Sequence, residues 1–164
     1  MEKNNRNLVY VDMMIDALKK KETILRFLYE KTKEQEILLK DEELDVGAFE
    51  KTVEEKGEKI DSLNEIDSGF DMLFKVVKKE ITENRVEYRE SIVQMQGLIA
   101  SISELGVSIQ AMENQNSMRF KAFLTKERKM IREFNVNSRT TTNYYQNMVN
   151  AGQREQSYFF NEKK

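Results

Sequence analysis

The chain has 164 residues, of which 39% are hydrophobic and 34% charged, with no proline and six glycines. Its 29 acidic and 27 basic residues leave a net charge of −2, so no overall field draws nucleic acid or an anionic surface. Histidine and cysteine are absent, which excludes ordinary zinc sites, thiol nucleophiles, disulfides and imidazole bases.

Length permits one domain, and the lack of proline and glycine favours long helices over a sheet protein. The first helix is expected at about 8–39. Val11, Met14, Ile15, Leu18, Leu25 and Leu28 recur at spacings of three, four and seven, which is one buried stripe. In "DEELDVG", residues 41–47, Asp45 is placed to cap the next helix. That helix is expected at about 46–81, carrying Phe49, Val53, Ile60, Leu63, Phe70, Phe74, Val77 and Ile81 in a nearly heptad frame. Gly69 is its weak point, yet the periodicity resumes in register at Phe70, so a continuous helix is expected.

In "ITENRVEY", residues 81–88, Asn84 and Glu87 have capping-box spacing. A third helix is therefore expected at about 84–134, with Tyr88, Ile92, Met95, Ile99, Ile102, Ile109, Phe120, Phe123, Met130 and Phe134 in one heptad frame. Gly106, Glu113, Asn116 and Glu127 break that frame. About 50 residues at 1.5 Å each make a rod of roughly 75 Å.

The expected architecture is thus all-α: an antiparallel three-helix bundle or coiled coil over 1–134, with a long third helix, followed by a flexible tail over 135–164. Short connections make sequential helices antiparallel. Two shorter helices cannot cover a longer third one, so Phe120, Phe123, Leu124, Met130, Ile131 and Phe134 are expected to project as an uncovered apolar stripe. Beyond Phe134 the Asn-, Ser- and Thr-rich stretch is too polar to fold alone. Tyr144, Tyr145, Met148 and Val149 there fall on roughly one side of a short amphipathic turn. A plain disordered end is the alternative reading.

Chemistry-bearing patterns are few. The acidic stretch "EQEILLKDEELD" reads as a solvated helix end, since the alternating ligands and central glycine of a calcium loop are missing. The basic cluster "RFKAFLTKERKMIR", residues 119–132, has three readings: helix surface complementing the dipole, a face for a protein partner, or a nucleic-acid or lipid contact. No phosphate loop, nucleophile–base pair or nucleotide fingerprint occurs, so no enzyme and no cofactor or metal is expected. The N-terminus lacks an uninterrupted apolar core because Asp12 and Asp16 cut it, and no membrane insertion is expected. With no disulfide chemistry available, a cytoplasmic location is expected.

Three stretches taken in order resemble the flagellar export chaperones of the FlgN family: "LYEKTKEQEILLK" at 28–40, the spacing of Phe49, Lys56 and Ile60, and the closing "NYYQNM" after a Thr-rich run. The resemblance covers nearly the whole chain. A FliT-type flagellar chaperone has a similar helical pattern. The resemblance implies a cytoplasmic helical chaperone that binds hook-associated, hook–filament junction proteins, prevents their premature assembly and delivers them to the flagellar type III export apparatus. It also implies client binding by the C-terminal region, here the end of the third helix together with Asn143, Tyr144, Tyr145 and Met148. The competing class is a structural coiled coil in which the outer third helix packs against a second copy as a homodimer. Nucleic-acid binding through 119–132 is the third class, and it demands steep salt dependence.

Overall fold

The computed structural model describes residues 2–125 and 143–148. Three helices follow one another: α1, Glu2–Lys40; α2, Val46–Glu83; and α3, Arg89–Leu124. The protein is an all-α three-helix bundle. Its contacts fix the directions. Lys21 pairs with Asp67, Lys31 with Glu55 and Gln35 with Thr52, so α2 descends against α1. Phe49 stacks on Phe120 and Lys56 meets Glu113, so α3 is antiparallel to α2 and parallel to α1.

The helix ends have local causes. Asp45 is extended, and its carboxylate accepts a hydrogen bond from the Ala48 amide at 3.1 Å, capping α2. Asn84 closes α2 rather than opening α3. Its backbone and side-chain nitrogens both donate to the Glu80 carbonyl, at 3.0 and 3.2 Å. The chain then turns through 84–88 before α3 begins. At the far end the Thr125 hydroxyl donates to the Ala122 carbonyl at 2.5 Å.

As described, the three helices have 39, 38 and 36 residues. The remainder of the expected third helix, 126–134, lies outside the described residues, as does the expected tail apart from 143–148. α3 is also long and apolar enough, by length and composition, to cross a membrane, a segment not expected from the sequence. Here its Ile92, Met95, Ile99, Ile102 and Ile109 line the bundle core.

The interior has two apolar parts with a polar layer between them. The larger runs from Val11 through Leu28 on α1, Ile60 through Ile81 on α2 and Ile92 through Ile109 on α3. The smaller, at the α1–α2 connection, gathers Phe49, Phe120 and Leu124, with Leu38, Leu39, Leu44, Val53 and Phe123 against them. Between the two lie buried Thr32, Gln35, Thr52, Lys56 and Asn116, with Glu113 reaching in. Asn116 donates to the Thr32 carbonyl at 3.1 Å, Gln35 to the Thr52 hydroxyl at 3.0 Å, and Lys56 to Gln35 at 2.9 Å and to Glu113. Every helix contributes to this layer, and a one-turn slip of any helix would leave buried polar groups unpaired.

Candidate functional site: a helix seat on the bundle

Backbone proximity is concentrated between α1 and α2 and between α1 and α3. Where α2 and α3 stand further apart, a further element can reach the core that all three share. Residues 143–148 do so as a short helical segment. Asn143, Gln146 and Asn147 face outward, Tyr144 is half-buried, and Tyr145 and Met148 are 0% and 5% exposed. The spacing of Tyr144, Tyr145 and Met148 puts one apolar face inward.

Both buried side chains belong to the same apolar cluster as Leu18, Phe70, Ile99 and Ile102. Tyr144 packs against that cluster and edge-on against Tyr145, with ring centroids 5.8 Å apart. Its hydroxyl donates to Asp67 Oδ2 at 3.1 Å, while Asp67 Oδ1 accepts from Lys21 Nζ at 2.6 Å. The Lys21–Asp67 pair thus joins α1 to α2 and anchors the segment. Burial, followed by the neighbouring Asp67 charge, pushes the Tyr144 phenol far above its usual range, and burial alone does the same for Tyr145. Both phenols stay protonated at neutral pH.

The Tyr145 hydroxyl is buried and has no hydrogen-bond partner among the described residues. Beside the segment, a cavity of about 290 Å³ remains, lined by Lys21, Asn64, Asp71, Tyr144, Asn147 and Met148 among others.

The residues expected to bind a client divide among three places. Phe120 and Leu124, 3% and 2% exposed, are enclosed in the smaller core, and Phe123 is half-buried against it. Phe120 lies face to face with Phe49, with centroids 4.8 Å apart. For Phe120, Phe123 and Leu124 the expected exposure is therefore corrected: residues of α1, of α2 and of their connection pack over them. Met130, Ile131 and Phe134 lie outside the described residues. Asn143, Tyr144, Tyr145 and Met148 come together on the seat, with the last two turned into their own chain.

Sequence reasoning missed the seat's other wall, namely Leu18, Lys21, Asp67, Phe70, Ile99 and Ile102. The apolar ones were visible only as ordinary core, and nothing in the sequence marked Lys21 or Asp67. Among the described residues no acidic cluster is placed to hold a metal ion. In comparisons with known proteins, no family model, no curated protein and no solved structure matches the chain.

Proposed function

We propose that this protein is a cytoplasmic flagellar export chaperone of the FlgN kind, which holds hook-associated junction subunits before their secretion. The observation that supports this reading is the seat: three helices present one apolar surface with a charged anchor, and a short amphipathic helix lies in it. A junction subunit assembles through amphipathic helices, and covering one in such a groove keeps it from polymerising early. Since Phe120 and Leu124 are enclosed, the client contact of this reading is the seat around Leu18, Phe70, Ile99 and Ile102.

The test is direct. Each purified hook-associated subunit is mixed with the full chain and followed by size-exclusion chromatography and by light scattering during assembly. A soluble complex with at least one subunit, together with delayed polymerisation, is expected. Failure to form a complex with any of them would end the flagellar reading.

A further inference from the structure

Between Ser91 and Met118 the only ionisable side chains are Glu104 and Glu113, and Glu113 turns inward to Lys56. The solvent side of α3 thus differs from those of its neighbours. α1 turns Lys19, Arg26 and Lys33 outward, and α2 turns Glu54, Lys59 and Asp61 outward. The outer side of α3 also has an order of its own. Positions 93, 97, 100, 104, 107, 111, 114 and 118 follow at alternating steps of four and three, and all eight are exposed. They form a second heptad seam, back to back with the one that Ile92, Met95, Ile99 and Ile102 turn into the core. At 1.5 Å per residue it is about 38 Å long. Val93, Val107 and Met118 supply its apolar area, at 53%, 53% and 72% exposure. Gly97, Ala100 and Ala111 lie between them and leave hollows. Water favours charge on an exposed helix face and imposes no heptad order there, whereas a facing helix requires both the order and the lack of charge.

The one charge on the seam says which helix fits. Glu104 lies near its middle and makes no ion pair among the described residues, although Glu22, Glu34, Glu36 and Glu55 all do. Across a shallow cleft stand Arg26 and Glu30 of α1, which are of opposite sign, and Arg26 is already paired with Glu22 at 3.2 Å. A second copy of this chain is a poor match. In parallel register the two Glu104 carboxylates meet. In antiparallel register about the seam's midpoint they stand less than one turn apart, with no cation on the seam to separate them. We propose that the outer face of α3 docks a helix of another protein, one that presents bulky apolar side chains to Gly97, Ala100 and Ala111 and a lysine or arginine to Glu104. The hollows take the bulky side chains as knobs. Glu104 accepts from the partner's cation and turns away a second copy. The seam points away from the seat, so this inference goes beyond the chaperone reading and does not depend on it.

The probes are two fluorescein-labelled synthetic helical peptides as long as the seam, with leucine at the heptad positions. The central position is lysine in the first and glutamate in the second. Each is titrated by anisotropy onto the full-length chain and onto full-length Glu104→Lys, whose substituted position is exposed. Wild type should bind the lysine peptide at least about tenfold more tightly than the glutamate peptide, and Glu104→Lys should reverse that order. Binding elsewhere, the seat included, would not follow the charge at 104. Ala100→Gln/Ala111→Gln fills the hollows without adding charge or a poor helix former, and should weaken the lysine peptide about tenfold. No binding of the lysine peptide, one order of preference shared by wild type and Glu104→Lys, or unchanged binding by the glutamine variant would each overturn the proposal. So would a wild-type dimer in sedimentation that the glutamine variant dissolves, which would assign the face to a second copy. Wild-type binding to phosphatidylcholine vesicles that the same variant abolishes would assign it to a membrane and overturn the proposal equally.

Discussion

Lys56 is 3% exposed, yet it carries an ammonium group into the polar layer, where the Gln35 carbonyl and the Glu113 carboxylate accept from it. Burial lowers its pKa to about 7. The Glu113 carboxylate favours the charged form, so here desolvation outweighs the ion pair. An unfolded lysine titrates near ~10.4. Between about pH 7 and that value the unfolded chain binds more protons than the folded one, and stability rises with pH by at most about 1.4 kcal/mol per unit. The contribution is complete only above the unfolded value and is lost as pH falls toward 7. Urea midpoints of the wild type should therefore climb from pH 7.5 to pH 9.5, with the upper limit set below the range in which unfolded phenols ionise. Lys56→Met should abolish the climb. A wild-type midpoint that stays level or falls over that range would show that the ion pair prevails over burial. The position of this residue was legible in the sequence, but its role was not. Lys56 stands seven positions after Phe49 and four before Ile60, on the buried face, and Glu113 and Asn116 interrupt the heptad frame of α3. That three interruptions on two helices meet in one layer depends on the register between those helices.

At the scale of the helix, the apolar periodicity was a faithful guide. The buried faces expected for α1 and α2 are nearly those found, although Thr52 and Lys56 are buried in α2 where Val53 is only half-buried. The cap at Asp45 was legible because it depends on one side chain and the amide three residues on. Asn84 was misread because the same residue type can end one helix or begin another, and the choice falls to the carbonyl it reaches, that of Glu80. Two substitutions of opposite sign check these local accounts. Asp45→Ala removes the bond to the Ala48 amide and should lower stability by about 1 kcal/mol. Gly69 lies within continuous α2 and faces solvent, and an added Cβ there would meet nothing within 4 Å beyond the neighbouring backbone of its own helix. Gly69→Ala should accordingly raise stability by about 1 kcal/mol. Chemical denaturation of both variants measures this, and a destabilised Gly69→Ala would mean that α2 bends at 66–70 in solution.

Across the whole molecule, the division of the interior decides how the bundle opens. Apolar contact is continuous within each core but interrupted by the polar layer, so the two cores share little of the packing that would make them open together. This is also why Phe120 and Leu124 were wrongly expected to project. Their apolar character was legible, but what packs over them is Phe49, Leu38 and Leu39 at the end of α1, and Leu44 of the connection, a juxtaposition that only the meeting of helix ends creates. The smaller core rests on few large side chains, with Phe120 stacked on Phe49 at its centre. Native-state hydrogen exchange should show the amides near Phe49 and Phe120 exchanging through a local opening, at lower free energy than those near Leu63, Met95 and Ile99. Phe120→Ala removes a buried aromatic, a change that costs about 3–5 kcal/mol where a core unfolds as one unit. In a separately opening end, the loss should fall mainly on the local opening. The global midpoint should then move by less than that range, because the larger core, which also holds the seat, keeps its own packing. If amides of both cores in the wild type exchange with one shared free energy, and Phe120→Ala lowers it everywhere equally, the polar layer is a register device and not a boundary between opening units.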